Sequence, residues 1–493
     1  KDMRLSDPSK AKLNSENVNK GKGKYYTEKV PYGYNFADDN DEIVDTTDVM
    51  HGMHVAGIVA ANATDEDVKN NDGIQGMAPE AQLLAMKVFS NDASRKDEYI
   101  DAVITAIETS VELGADVINM SFGFDNGFRD SSDPEQIAIK NATDDGVICI
   151  VGAANSAVSN GISEGISDVA TIATPAIGKD AIAVASYENS IVTKTIFEAK
   201  INGKTVDIRY YTEENAKLRK LFGAEVEVVD CGLGKVDDFK NVDVNGKVAL
   251  IGISEEETKD NLKILLSNKQ LNAQNAGAKA IFYYVNSDNT PEFGYPPIDS
   301  AKIPNMSIAK KDADYLKEGL SNKVTVSFNG KYETDKSPTA SQMSGFTSWG
   351  SGPALEFAPQ ISGVGGNVYS TLNENKYGLM SGTSMATPYV SGATALIVQS
   401  LKDKGLNLKG RELVDFVKKS VINTAETIFE KNLLNENVPY SPRRQGAGLI
   451  QTKEAIDNRV LITGEDGEAT VALKEIGDTT NFKLTLTNYS DKE

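Results

Sequence analysis

The sequence is poor in cysteine, histidine and positive charge. Its 493 residues include two cysteines and two histidines, and 51 Lys and Arg against 71 Asp and Glu leave a net charge of −20. This acidic balance argues against nucleic acid as a partner, because phosphate binding needs a basic face. No apolar run is long enough to span a membrane, so we expect no membrane span within these residues.

The two cysteines are Cys149 and Cys231, and Cys149 lies in the apolar run GVICIVGAAN, which is typical of a buried strand. We expect buried free thiols rather than a disulfide, which leaves the redox compartment open. The chain begins with Lys1, without a methionine or a signal peptide. We therefore expect a fragment or a processed form, whose targeting signals lie elsewhere.

A chain of this length is too long for one compact core, so we expect several domains. Strand and helix signals alternate up to about residue 190, which predicts an α/β fold with a parallel sheet and helices on its faces. The composition becomes charged and β-rich from 191 and returns to small residues at 337. Period-two alternation begins near 459. We therefore predict an α/β domain in two parts, 1–190 and 337–458. A second domain is inserted at 191–336, and a β-sandwich starts at 459–493.

The segment LMSGTSMATPYVSGATALI places Ser384 among small residues at the start of an apolar helix. A serine hydroxyl needs a base to take its proton, and histidine is the usual base near neutral pH. The only histidines, His51 and His54, lie together in HGMHVAG. Both could be packed structural residues. Their place beside Gly52 at a helix start favours His51 as a functional residue and His54 as a structural one.

Asn155 follows the buried strand in VGAANSAV, at the edge of the sheet where sites of parallel α/β folds lie. Acyl transfer needs donors aimed at the developing oxyanion, and the Asn155 amide and the backbone N–H of Ser384 could supply two. The alternative is an asparagine that satisfies the local backbone of a turn.

Taken in order along the chain, HGMHVAG, VINMSFG, VGAAN and SGTSMATPYVSG resemble the subtilisin-like serine proteases, the subtilase family. The resemblance covers residues 1–190 and 336–456. It implies an extended protein or peptide substrate, and it implies that Ser384 is the nucleophile, His51 the general base and Asn155 the oxyanion donor. It also implies that two segments form the walls of the substrate cleft: Ser121, Phe122 and Gly123 on one side, and Gly152, Ala153 and Ala154 on the other.

Within that family, the segments HGMHVAG, FTSWG and QISGVGGNVYST resemble those of one subgroup, the lactocepins, which are cell-envelope proteinases of lactic acid bacteria. It implies an inserted protease-associated (PA) domain over 191–336 and a fibronectin-like β-domain that starts at 459. It also implies a secreted or wall-attached serine endopeptidase that needs no cofactor for its chemistry. The alternative is a catalytically degenerate scaffold that acts as a surface adhesin. An esterase with a G-x-S-x-G elbow does not fit, because the motif is G-T-S-M-A.

Three features depart from the family pattern or leave it open. Ala154 stands where the family usually has glycine, so its methyl group is expected to crowd the cleft wall. The family's orienting Asp ends a strand before the histidine; we expect it upstream of Lys1, although Asp2 and Asp7 lie in this chain. Structural calcium is common in the family, but the acidic stretch 35–45 lacks a defined calcium-loop spacing and is expected to be a solvated loop. The sequence does not indicate the cleavage specificity or the oligomeric state.

Overall fold

A computed structural model describes most of the chain and divides it into two compact units. The first unit joins Lys1–Ser190 to Ser337–Glu493, and the second is Ile191–Lys336. The described residues are 2–18, 21–47, 49–69, 73–95, 98–125, 127–157, 170–212, 218, 221–257, 262–287, 302–473 and 475–490.

The strands are numbered in chain order. They are β1 Tyr32–Asn35, β2 Leu84–Lys87, β3 Val117–Met120, β4 Ile148–Gly152, β5 Ile182–Glu188, β6 Ile191–Ile201, β7 Lys204–Tyr210, β8 Glu225–Asp230, β9 Val248–Ile253, β10 Ala280–Val285, β11 Asn305–Ser307, β12 Thr325–Ser327, β13 Tyr332–Lys336, β14 Ile361–Gly366, β15 Val368–Leu372, β16 Lys376–Met380, β17 Phe429–Lys431, β18 Asn437–Pro439, β19 Val460–Thr463 and β20 Thr485–Asn488.

The α-helices are numbered in the same way. They are α1 His51–Ala60, α2 Asp65–Lys69, α3 Ile100–Glu112, α4 Pro134–Asp144, α5 Leu262–Asn275, α6 Lys310–Gly319, α7 Thr383–Asp403, α8 Arg411–Asn423, α9 Pro442–Gln445 and α10 Thr452–Asp457.

The first unit is built on a parallel sheet, as the alternating sequence pattern predicts. Its strands run in the order β14-β5-β4-β3, and β1 and β2 form a separate parallel pair. Strand β4 is buried along its whole length, because its run ICIVG is covered on both faces. Cys149 of this strand is a buried free thiol, as predicted, and burial raises its pKa to about 12.

Local sequence explains both ends of helix α4 and the end of helix α3, the two helices that flank β3. Helix α4 starts at Pro134 behind Asp133, whose carboxylate accepts the backbone N–H of Gln136 at 2.9 Å. Gly146 follows it with a φ of 92°, a conformation that favours glycine. Gly114 ends α3 in the same way, with a φ of 72°.

The second unit contains an eight-stranded mixed sheet in the order β11-β10-β9-β8-β12-β6-β13, with β7 paired to β6. Strands β8 to β11 are parallel, and the other pairs are antiparallel. Its core contains the stacked rings of Phe197 and Phe282, with Phe328 beside them. The second cysteine, Cys231, is a buried free thiol in this unit. The assignment of this unit as a PA domain stays a prediction.

The end of the chain contributes one antiparallel hairpin, β19–β20, to the first unit. Apolar residues of this segment, including Leu484 and Leu486, are exposed. One hairpin does not identify a domain, so the fibronectin-like assignment also stays a prediction.

Candidate active site

Ser384 is the second residue of helix α7, directly after Thr383, and Gly382 caps the helix. Its hydroxyl donates to the carbonyl oxygen of Ser121 at 3.2 Å, and the Ser121 hydroxyl donates back to the Ser384 carbonyl at 2.8 Å. Ser121 directly follows strand β3. This reciprocal pair fixes the start of α7 against the carboxyl end of the sheet, where parallel α/β folds place their sites.

Asn155 lies just beyond strand β4. Its Oδ1 accepts the backbone N–H of Thr383 at 2.9 Å and the Thr383 hydroxyl at 3.1 Å. Since a backbone N–H can only donate, the atom facing it must be the amide oxygen, and the Nδ2 group is left to face the other way. The side chain is therefore held in one orientation by the first residue of α7.

Two N–H donors lie close to Gly382, next to Ser384 in the chain. A Cβ built on Gly382 would lie 3.4 Å from Asn155 Nδ2 and 3.6 Å from the Ser384 backbone nitrogen. Helix N-termini leave their first N–H groups without intrahelical partners, and no acceptor among the described residues takes the Ser384 N–H. This pair of donors could bind an oxygen anion formed next to the Ser384 hydroxyl.

His51 is the first residue of α1, as predicted, and it is half-buried. Helices α1 and α7 run in the same direction, as two contacts show. His54, near the start of α1, contacts Gly378, which lies shortly before α7. Val59, near the end of α1, has its carbonyl oxygen 3.1 Å from a Cβ built on Gly392, inside α7. Their first turns thus lie at the same end of the helix pair. No hydrogen bond between the His51 ring and Ser384 is present among the described residues.

Burial lowers the pKa of His51 from its ordinary value, while the negative charge of Asp45 acts in the opposite direction. Burial dominates because the charged imidazolium loses more solvation energy than the neutral ring. A neutral imidazole at pH 7 is the form that can accept a proton.

His54 is fully buried, and its Nε2 lies 3.1 Å from the Val368 carbonyl and 3.0 Å from the Gly378 carbonyl. It therefore ties α1 to the hairpin β15–β16 and faces away from solvent, as a structural histidine does. Its partners lie more than 300 residues away in the sequence, so no local pattern could have indicated them.

The carboxylates near the front of the chain are engaged elsewhere. Asp2 accepts from the backbone N–H of Ile74 at 2.9 Å and from the Tyr377 hydroxyl at 2.7 Å. Asp7 accepts from Ser9. Asp45 accepts the backbone N–H groups of Thr47 and Met50. Within the described part of the chain, no carboxylate hydrogen-bonds the His51 ring.

A cavity of about 300 Å³ opens beside Ser384 and Asn155. Ser121, Phe122 and Gly123 line it, and so do Gly152 and Ala154 across from them. The structure thus brings five of the six predicted wall residues to one cavity.

The Ala153 side chain does not line the cavity, and the place of its backbone in the predicted wall segment stays a prediction. The side chain is fully buried and belongs to the core under the sheet. Strand β4 ends at Gly152, and the Ala153 side chain that follows packs in this core cluster.

Ala154 has a φ of 89°, in the left-handed region that favours glycine. Its backbone N–H donates to the Thr383 hydroxyl at 3.2 Å, and its carbonyl accepts from Ser348 at 2.9 Å. The residue is thus held in a strained conformation by contacts on both sides. The alanine at 154, where the family usually has glycine, therefore strains the backbone as well as taking up space in the cleft.

Residues 10–448 of the chain match the Subtilase family. The chain belongs to the subtilase family. This subtilase is 38% identical to a PII-type proteinase of Lactococcus lactis subsp. cremoris, over all of this chain and 27% of the proteinase. It is also 38% identical to a PII-type proteinase of Lacticaseibacillus paracasei, with the same coverage. Its identity to a C5a peptidase of Streptococcus pyogenes serotype M6 is 30%, over 99% of this chain and 40% of the peptidase.

The subtilase chain spans about a quarter to two fifths of the length of these relatives. None of its described helices is both long and apolar enough to cross a bilayer.

Two carboxylates of the acidic stretch 35–45 of this subtilase accept hydrogen bonds from protein donors. Asp38 accepts from Ser90, Asn91 and Arg95, and Asp39 accepts from Lys22 and Tyr34. Across the described residues, no three His, Cys, Asp or Glu side chains are grouped to hold a metal ion. The expectation of a solvated loop here, and of structural calcium at an unknown site, stays a prediction.

Proposed function

We propose that this subtilase is a serine endopeptidase that hydrolyses peptide bonds of extended protein substrates through an acyl-enzyme on Ser384. The observation that carries the proposal is that Asn155 Nδ2 and the Ser384 backbone nitrogen both lie within 3.6 Å of one point beside Gly382, at the start of the helix that carries Ser384. Such donors act on the charge that develops in the tetrahedral intermediate, and they are most effective when they are fixed in advance. The contacts between Asn155 and Thr383 provide that fixation.

In the proposed mechanism, the His51 imidazole removes the proton of the Ser384 hydroxyl as its oxygen attacks the substrate carbonyl. The oxyanion then lies between the two N–H donors. His51 gives the proton to the leaving amine, which breaks the peptide bond and leaves the acyl group on Ser384. A water molecule, deprotonated by His51, attacks the acyl group. The bond to the Ser384 oxygen breaks, His51 returns the proton to that oxygen, and the acid product leaves. The neutral form of His51, favoured by burial, is the form that the first step needs.

We further propose that a carboxylate from outside residues 1–493 orients His51. Strands β2 and β3 support this. Each has one paired edge among the described residues, β2 with β1 and β3 with β4. Both are only partly buried despite their apolar sequences, whereas β4 is fully buried. Met86 of β2 and Ile118 of β3 pack on the same core cluster, so the two strands border one core.

A further parallel strand between β2 and β3 would pair both edges and would end near the carboxyl edge of the sheet. An upstream segment added in cis or as a peptide should therefore raise both the stability and the activity of residues 1–493. Full activity of residues 1–493 alone would contradict this part of the proposal.

We propose an extracellular location, secreted or attached to the cell wall, for this enzyme. The proposal rests on the similarity to bacterial proteinases and a C5a peptidase and on the resemblance to lactocepins. The second unit, 191–336, is proposed to affect the choice of substrate and not the chemistry.

The experiment that tests the proposed activity measures peptide hydrolysis by the natural protein, meaning the protein as it occurs and not residues 1–493 alone. The same measurement is made on its Asn155→Ala variant. Loss of the Nδ2 donor should lower kcat by roughly 10²–10³, a magnitude established with a subtilisin oxyanion donor, and should leave KM nearly unchanged. The loss falls on kcat because the donor acts on the transition state and not on the bound substrate. Near-normal turnover by Asn155→Ala, or no hydrolysis by the natural protein, would contradict the proposal.

A further inference from the structure

One charged side chain lines the cavity beside Ser384. Among the described residues that form this cavity, Asp125 is the one with a formal charge, and all the others are neutral. It follows the wall segment 121–123 and is exposed. A carboxylate in an otherwise neutral cleft determines the sign of the electrostatic potential there, and this potential discriminates between charged and neutral ligands.

Asp125 is held in place by the opposite wall. Its Oδ2 accepts the Ser156 hydroxyl at 2.6 Å. The Ser156 backbone N–H in turn donates to the hydroxyl of the fully buried Ser348 at 3.0 Å. Because Ser156 directly follows Asn155, this chain of contacts links the carboxylate to the segment that carries the proposed oxyanion donor.

The carboxylate has no cationic partner among the described residues. Asp38 and Asp144, by contrast, each meet an arginine. The Ser156 hydroxyl uses one lone pair of one oxygen, so the carboxylate can still accept further hydrogen bonds. It therefore remains available to a cation that enters the cleft.

The position of Asp125 determines which part of a substrate it meets. A peptide attacked by Ser384 places its reacting carbonyl carbon at the Ser384 hydroxyl, with the carbonyl oxygen between the two N–H donors. In the pose that we infer, the side chain of that same residue enters the cavity between the two walls. Asp125 and Ser156 line this cavity together with Ser384.

We propose that Asp125, oriented by Ser156, selects substrates in which the residue whose carbonyl is attacked is lysine or arginine. This inference rests on the proposed function. A charge-assisted hydrogen bond between the substrate cation and Asp125 favours such substrates over neutral ones of similar length on the order of 10-fold. Ser156 is a positioning residue in this arrangement.

The test uses two peptides that differ only at this residue, one with lysine and one with methionine, which has a similar length and no charge. The ratio of their kcat/KM values is measured for the natural protein, for Asp125→Asn and for a matched control, Asp130→Asn. Asp130 is also exposed and also accepts a serine hydroxyl, that of Ser132 at 2.6 Å, but it does not line the cavity.

We expect the natural protein to favour the lysine peptide. Asp125→Asn should lower the lysine-to-methionine ratio on the order of 10-fold, and Asp130→Asn should leave it unchanged. The ratio should also fall as salt is added, because the carboxylate is exposed. Asp125→Lys should reverse the preference, toward a peptide with glutamate at the same position. Ser156→Ala should reduce the preference for lysine without removing it.

The outcomes separate this inference from the proposed function. Hydrolysis that depends on Ser384 but shows the same ratio in the natural protein and in Asp125→Asn would overturn the inference alone. A natural protein that favours the methionine peptide would overturn it as well. No hydrolysis of either peptide by the natural protein would overturn the proposed function.

Discussion

The side-chain oxygen of Asn155 accepts the backbone N–H of Thr383, at a distance of 2.9 Å. This one bond joins the end of strand β4 to the first residue of helix α7, the two elements that carry the proposed donors. It directs Asn155 Nδ2 toward the point where the Ser384 N–H also lies. The geometry of the proposed oxyanion site is thus determined by a contact between two segments that are 228 residues apart.

Gly382→Ala should block this site without unfolding the protein. The added methyl group would lie 3.4 Å from Asn155 Nδ2, in ordinary contact with the protein but in the space that the oxyanion needs. The φ of Gly382 is 161°, an extended conformation that any residue can adopt. We therefore expect a loss of kcat at least as large as for Asn155→Ala, roughly 10²–10³, with nearly unchanged unfolding free energy.

The matched control is Gly345→Ala, because a Cβ on Gly345 would meet no atom within 4 Å. Both variants are compared in peptide hydrolysis and in urea unfolding. Normal turnover by a folded Gly382→Ala protein would show that the oxyanion does not bind at this point.

Ala154→Gly should stabilise the protein. The left-handed φ of 89° costs an alanine about 1–2 kcal/mol, and part of this gain is lost because glycine has more freedom in the unfolded chain. The expected net increase in unfolding free energy is about 0.5–1 kcal/mol, measured by urea unfolding.

The neighbouring substitution Ala153→Gly is the control for this effect. Ala153 is fully buried and does not have a positive φ, so glycine there should destabilise the protein by about 0.5–1 kcal/mol. If both substitutions changed the unfolding free energy in the same direction, backbone strain at Ala154 would be ruled out.

The parts of the site that the sequence predicts are those with local causes. A glycine before a run of small residues places Ser384 at a helix start, and an apolar strand places Asn155 at a sheet edge. The limits of α4 follow from Asp133 and Pro134 in the same way. Each of these features depends on residues that are close in the sequence.

The parts that the sequence did not reveal depend on contacts between distant segments. Asp125 reaches the cavity because Ser156 and the wall segments fold together, and its loop has no motif that indicates this. The inward direction of Ala153 depends on how β4 is covered. The only signal available for Asp125 was its position just after the predicted wall.

The pKa of His51 should be below about 6.5 in residues 1–493. Burial is the main cause, and Asp45 opposes it, so Asp45→Asn should lower the pKa further. NMR titration of the imidazole can measure both effects, and loss of one signal in His51→Gln assigns the two histidines. A pKa above 6.5, or an increase in Asp45→Asn, would contradict this account.

The same shift affects stability. Because the folded-state pKa is lowered, the unfolded chain binds more protons between this pKa and about 6.5, and the contribution of His51 to the unfolding free energy rises with pH across that window. Above the window this contribution is complete, and it is lost as the pH falls through the folded-state pKa.

Removal of the second unit, 191–336, should leave the first unit folded. The backbone N–H of Ser337 donates to the carbonyl of Ser190 at 2.9 Å, so a short linker can join the two cut ends. We expect the shortened protein to hydrolyse a small ester substrate at the normal rate and to cleave whole proteins with a changed pattern. A folded variant that fails on both substrates would show that the second unit contributes to the chemistry.

The most direct test of the central claim is the site of covalent labelling by a fluorophosphonate, located by mass spectrometry of peptides from the natural protein. If Ser384 is the nucleophile, one label per chain should form on the peptide that contains GTSMATP, and Ser384→Ala should abolish both the label and the turnover of peptides. A label on another serine, or labelling that persists in Ser384→Ala, would contradict the account.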